Sequence, residues 1–192
     1  MSRAVGAVRR LVVKVGTSSL VDDRGRALSR KLAKVARDVA SVRKGRDCVL
    51  VSSGAIASGL GPMGLSRRPR DIPGLQAAAA VGQGRLMAEY ARRFARRGVV
   101  TAQVLLTQED FLRRRHFINA RNTFERLMDA GIVPVVNENA PWPHPRSPLE
   151  TTIAWPRWWP SWSAPICSCC SRTSTGSSSE TPAGVGPGCW ER

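Results

Sequence analysis

Arg10-Leu11-Val12-Val13-Lys14-Val15, followed at once by Gly16-Thr17-Ser18-Ser19, is the stretch on which the reading of the fold turns. A short apolar run closed by a glycine reads as a strand buried on both faces, as strands of parallel sheets are. The pattern returns along the chain. Residues 48–51, Cys-Val-Leu-Val, predict a second strand, residues 99–106 a third and residues 132–136 a fourth. Helical patterns fill the gaps. From Ser29, a candidate N-cap, the apolar set Leu32, Val35, Ala36, Val39 and Val42 has helical spacing. A short helix of small residues covers 55–60. A longer one covers 75–97, with Leu86, Met87, Tyr90, Ala91 and Phe94 on one face. Thr107 and Asp110 have capping-box spacing, and another helix covers 117–129 and ends at Gly131. Asp22-Asp23-Arg24-Gly25 reads as a turn, and residues 61–73 as a loop rich in Gly, Pro and Arg. Strands alternating with helices predict an α/β fold: a mostly parallel sheet with helices on both faces.

Ligands of such sheets bind at the carboxyl ends of the strands. Three strands end there in small or polar segments. After the first, Gly16 leaves room for backbone to approach a ligand, and the N–H groups of Gly16, Thr17 and Ser18 can cradle phosphate oxygens. Lys14 can reach the same oxygens as a point charge. Taken alone, Lys14 is better read as a strand-end lysine whose stem reaches solvent. After the second strand, Ser52-Ser53-Gly54 leads into a helix, and Ser53 with Gly54 could hold a carboxylate or phosphate. The same residues also suit an ordinary N-cap. After the fourth, Asn137-Glu138-Asn139 suits a polar substrate or closes a loop. The joint position of the three segments along one sheet edge is what gives them weight.

Composition bounds the partners. The chain has 192 residues and a formal charge of +16. That charge raises a basic nucleic-acid-binding protein as an alternative function. No helix-turn-helix, zinc-finger or aromatic-interleaved pattern accompanies it, so an arginine-rich solvated surface is preferred and nucleic acid is not the expected partner. No apolar run reaches the roughly 18 residues of a membrane span, so no membrane partner is expected. Lys14 breaks the N-terminal apolar stretch too early for a signal peptide, so a cytoplasmic protein is expected. His116 and His144 are the only histidines, and no side chain is assigned to a metal. Cys167-Ser168-Cys169-Cys170 lacks zinc spacing.

The composition changes abruptly near residue 140. All six Trp lie beyond it, with four of the five Cys and nine of the thirteen Pro. All four Phe and all four Lys lie before it. Residues 1–139 are therefore taken as one unit. Residues 140–192 are taken as a separate tail without helical or strand period, expected to be disordered or wrongly collapsed. Four strands alone would leave a sheet edge and an apolar face uncovered.

Several segments together resemble the glutamate 5-kinases of the amino-acid kinase family. They are Leu11 to Leu20, Val51 to Gly59, Ala79-Ala80-Val81-Gly82-Gln83, Val104-Leu105-Leu106-Thr107, Phe117-Ile118-Asn119-Ala120-Arg121-Asn122-Thr123 and Ile132 to Asn139. Their order and spacing match over about residues 9–139. The resemblance implies a three-layer α/β/α sandwich. It also implies phosphorylation of the side-chain carboxylate of L-glutamate by ATP with Mg2+, the first step of proline biosynthesis, in an enzyme that is a homo-oligomer when intact. Carried over, Lys14 contacts the ATP phosphates beside Gly16, Thr17 and Ser18. Ser53, Gly54, Asn137 and Asn139 face glutamate.

The resemblance stops at Ala140. In that family an Asp that binds substrate, a Gly-Asp-Asn-Asp motif, nucleotide loops and a second lysine follow, and none is present here. A deletion of one nucleotide in codon 140 would account for this. With G or C in most third positions, the codons of Glu150-Thr151-Thr152-Ile153 read one base earlier as Gly-Asp-Asn-Asp. Those of residues 164–171 read as Gly-Ala-Asp-Leu-Leu-Val-Leu-Leu, and those of residues 172–176 as Ala-Asp-Val-Asp-Gly. Val and Leu codons shifted by one base read as Trp, Ser and Cys, which accumulate in the tail. A chain so altered is expected to be inactive, a non-catalytic remnant of the enzyme.

Overall fold

A computed structural model describes residues 9–22, 29–107, 110, 112–138 and 166–167. Four strands form in the order read from sequence: β1 (Arg10–Val15), β2 (Asp47–Ser52), β3 (Thr101–Leu106) and β4 (Val133–Glu138). A two-residue β5 (Ile166–Cys167) joins them. The helices are α1 (Ser29–Val42), α2 (Ala55–Leu60), α3 (Ile72–Ala95) and α4 (Arg114–Asp129). The sheet order is β3-β4-β2-β1-β5, and every pairing is parallel.

The apolar runs of β1, β2 and β4 follow from burial on both sides, whereas β3 at the sheet edge carries Thr101 and Gln103 and is only partly buried. Successive residues point to opposite faces. Leu11, Val13, Val15, Cys48, Leu50, Val133 and Val135 pack with Leu32, Val35, Ala36 and Val39 of α1 and with Leu86, Tyr90 and Phe94 of α3. Val12, Val49, Val51, Leu106 and Val136 pack with Phe124 and Met128 of α4 on the other face. Three layers result, α1 and α3 above the sheet and α4 below. The α1 stripe is the one its spacing predicts. In α3 the buried residues recur every fourth position through Ala78, Gly82, Leu86, Tyr90 and Phe94. Ala91, expected on that face, is exposed instead.

Several boundaries differ from the sequence reading. Ser29 is the first residue of α1 rather than a residue before it, and its hydroxyl accepts a hydrogen bond from Arg93. β4 continues through Asn137 and Glu138, which pair with Leu105 and Leu106. The polar triplet is thus largely strand, because the β3 backbone extends that far and satisfies it. The tail, expected to lack strands, supplies β5. Val12 pairs with Ile166 and Val13 with Cys167. β1 has unpaired backbone groups on that side, and even a tail of poor strand composition can bond to them. The turn at 22–25 lies, beyond Asp22, outside the described residues.

Candidate functional site

The carboxyl ends of β1, β2 and β4 lie side by side. Lys14 pairs with Val51, and Val51 with Val136. One residue further on, Val15 pairs with Ser52. Alternation puts Lys14 on the face of Val12, the α4 side of the sheet. Ser52 and Asn137 meet side chains of α3 on the other face. The lysine and the serine–asparagine group therefore approach the edge from opposite faces.

Gly16 continues from β1 in extended conformation (φ −75°, ψ 162°) and leads into a single 3-10 turn, Thr17–Ser19. No residue type is excluded by that φ. Nor does packing among the described residues demand glycine, since a Cβ placed there meets nothing within 4 Å. The turn is closed by hydrogen bonds from Ser19 N–H to Gly16 O (3.1 Å) and from Leu20 N–H to Thr17 O (2.9 Å). Lys31 of α1 donates to Val21 O at 2.6 Å and so pins the far end of the loop. Thr17 is half-buried and Ser18 exposed.

The end of β2 is more tightly built. Ser52 is the one polar residue fully buried among the described residues, 2% exposed. Its hydroxyl donates to Ser53 O (3.0 Å) and lies 2.8 Å from the Tyr90 hydroxyl. Ser53 N–H donates to Val15 O (3.0 Å), which ties this turn to the last residue of β1. Gly54 then takes φ +104°, a left-handed conformation that an L side chain adopts only with strain. The reversal lets α2 begin directly at the sheet edge.

At the end of β4, Asn137 Nδ2 donates to Gln83 Oε1 of α3 at 2.7 Å. Gln83 is not among the site residues expected from sequence. The signal was present, since Gln83 ends the quoted segment Ala79 to Gln83, but nothing local says that α3 passes over β4. Gln83 Nε2 and Ser58 Oγ are buried without a hydrogen-bond partner. Asn139 lies outside the described residues, as does the side chain of Glu138.

After β3, Asp110 accepts from the Thr107 N–H (2.7 Å) and hydroxyl (2.8 Å), as the capping-box spacing predicts. His116 Nδ1 lies 3.4 Å from the same carboxylate. Burial pushes the Asp110 carboxyl up, but the bonds from Thr107 and His116 outweigh it and the net direction is down. This carboxylate is fully engaged in holding the chain.

Among the described residues, no three His, Cys, Asp or Glu side chains gather into a metal-holding group. No helix among them is long and apolar enough to cross a membrane.

A parallel sheet between two helical layers, with glycine and serine turns along its carboxyl edge, is the architecture reached from the residues. The chain belongs to the amino acid kinase family, whose model matches residues 9–149. It is 54% identical over 143 residues to the glutamate 5-kinase of Anaeromyxobacter dehalogenans, covering 72% of this chain and 38% of that protein. It is 50% identical over 136 residues to the glutamate 5-kinase of Myxococcus xanthus (71% and 36%). It is 52% identical over 139 residues to that of Streptomyces coelicolor (71% and 37%). The chain thus spans under two fifths of the length of these relatives.

Proposed function

We propose that this chain carries the first part of a kinase that moves the γ-phosphoryl group of ATP onto the side-chain carboxylate of L-glutamate, giving glutamyl 5-phosphate, the first step of proline biosynthesis in the cytoplasm. The observation that carries this reading is the 54% identity to a glutamate 5-kinase over 143 residues, 72% of this chain.

The chemistry suits the residues. The acceptor is already a carboxylate at neutral pH, so no base has to be supplied. Catalysis then reduces to alignment and charge stabilisation. Lys14 and the N–H groups of Gly16, Thr17 and Ser18 offset charge on the ATP phosphates. Ser53, Gly54, Asn137 and Asn139 hold glutamate, with its side-chain carboxylate toward the phosphate. Magnesium would be carried by the nucleotide phosphates and would offset their charge. Among the described residues, no cluster of His, Cys, Asp or Glu is fitted to hold it. The intact enzyme is read as a homo-oligomer.

Residues 140–192 are read as the same gene out of frame, leaving this chain inactive. The β5 pairing supports this. In the shifted reading the positions of β5 open the run Asp-Leu-Leu-Val-Leu-Leu, which has a buried parallel strand's composition and would lengthen the pairing with β1.

The test is glutamate- and ATP-dependent hydroxamate formation by two purified proteins, this chain and its frame-restored counterpart. The restored protein is expected to turn over glutamate, this chain not at all. Lys14→Ala in the restored protein should lower kcat about 100-fold, the size of a lost preorganised charge contact. Turnover by the 192-residue chain sinks the inactivity reading. A restored protein that uses another carboxylate and ignores glutamate sinks the substrate.

A further inference from the structure

Tyr90 is the only tyrosine of the chain. It lies on α3, is fully buried, and stacks obliquely near Phe94 at 6.3 Å between ring centres. A phenylalanine would fill that space equally well, so its hydroxyl needs an explanation. A buried hydroxyl without a partner is costly. Here the partner is Ser52, at 2.8 Å.

The direction of that bond follows from proton counting. A serine hydroxyl has one proton to donate. The Ser52 proton goes to Ser53 O at 3.0 Å. The Tyr90 O–H is therefore the donor toward Ser52 Oγ. Burial pushes the Tyr90 phenol up to about 12, against a smaller opposite effect of the Ser52 hydrogen bond, so it keeps its proton at neutral pH. The chain of donation runs from Tyr90 O–H to Ser52 O–H to Ser53 C=O. Each bond polarises the next.

Ser53 sits at a junction. Its C=O receives this chain, and its N–H donates to Val15 O at 3.0 Å, one residue before Gly16. Gly54 next to it is held at φ +104°. Both peptide groups of Ser53 are thus fixed, one by β1 and one by the tyrosine through Ser52.

We propose that Tyr90 is a positioning residue that fixes the Ser52–Gly54 turn and, through the Ser53–Val15 bond, keeps it in register with the loop that starts at Gly16. This role requires no contact between Tyr90 and substrate. It acts by setting the direction of the Ser53 peptide, and hence the distance between the two halves of the site. The catalytic consequence rests on the glutamate kinase reading, but the structural claim does not.

Hydrogen exchange on the 192-residue chain separates the two. The Ser53 amide is expected to be protected. In Tyr90→Phe it should exchange about tenfold faster, as the loss of one buried hydrogen bond implies. The amides of α3 around Leu86 and Phe94 should be unchanged. Ser52→Ala should give the same local increase, and the double variant no more than Ser52→Ala alone. An unprotected Ser53 amide, a uniform increase along α3 and β2, or additive single effects overturn the proposal. In the frame-restored enzyme, Tyr90→Phe should raise KM for glutamate several-fold with a smaller change in KM for ATP. Equal changes in both overturn the positioning role. Absence of glutamate turnover in the unsubstituted restored enzyme counts against the kinase reading alone.

Discussion

Cys48 shows how one buried group sets a pH limit. Its thiol faces the α1–α3 side of β2 and is almost fully enclosed. Burial pushes it up to about 12 from an ordinary 9.0, with Arg43 opposing weakly. Tyr90 moves the same way, from 10.0 to about 12. The sign follows from proton counting. Between about pH 9 and 12 the unfolded chain releases protons that the folded chain retains, so stability falls as pH rises through that window. Below pH 9 these two groups contribute no pH dependence. The midpoint of urea unfolding is expected to fall steadily above pH 9, and less steeply in Cys48→Ala. Because the thiolate is the reactive form, the Cys48 peptide should be alkylated at pH 8 only after denaturation. Equal labelling rates with and without urea, read by mass spectrometry, refute this.

Two glycines on α3, two residues apart, carry opposite expectations. α2 and α3 cross so closely that a Cβ on Gly82 falls 1.8 Å from Ala55 O and 2.5 Å from Gly59 N. On α2, a Cβ at Gly59 falls 2.0 Å from Ala78 O. These neighbours are backbone and cannot rotate away. Gly82→Ala must push α2 off α3 and should destabilise by about 1–3 kcal/mol, the usual range for overpacking. It also displaces the helix that follows Ser53 and Gly54. Gly84 faces open space, with nothing within 4 Å of an added Cβ. Gly84→Ala should stabilise by about 0.5–1 kcal/mol, because glycine loses more backbone freedom in a helix than alanine. Urea unfolding of the two variants gives the comparison directly. The same sign for both would show that the helices are not in this contact. The close crossing also brings Gln83 over β4 to Asn137.

The sheet as a whole is asymmetric. β3 has one strand partner among the described residues, and Leu105 on it is 40% exposed. Val100 and Leu112 nearby are 62% and 73% exposed. The other flank of the sheet relies on the two residues of β5 to cover β1. Unpaired parallel edges beside apolar side chains recruit other chains. A version ending at residue 138 loses β5 and is expected to associate more strongly than the 192-residue chain. Light scattering at matched, rising concentrations reads this out. No difference between the two would mean that the β5 pairing contributes nothing to keeping the edge closed. The frame-restored protein should associate least into irregular material, since a longer strand covers the same edge.

Sequence alone determined the layer architecture, because period and run length report burial directly. Leu32, Val35, Ala36 and Val39 had to share a face, and strands apolar on both sides had to lie inside a sheet covered twice. The segments after β1 and β2 were legible as turns leaving buried strands, where glycine and serine suit an N-cap as well as an anion site. Family membership was legible from the order of the quoted segments. The tertiary structure alone decided what depends on distant contacts. It extended β4 over Asn137 and Glu138, because β3 happened to reach that far. It placed Lys14 and Ser52 on opposite faces of one edge. It joined Gln83 to Asn137 and Tyr90 to Ser52 across separations of 54 and 38 residues. It also gave β1 a partner from a tail with no strand pattern. Local periodicity records how much surface each residue buries, whereas a hydrogen bond between distant residues records where two elements cross, and no window of sequence contains that crossing.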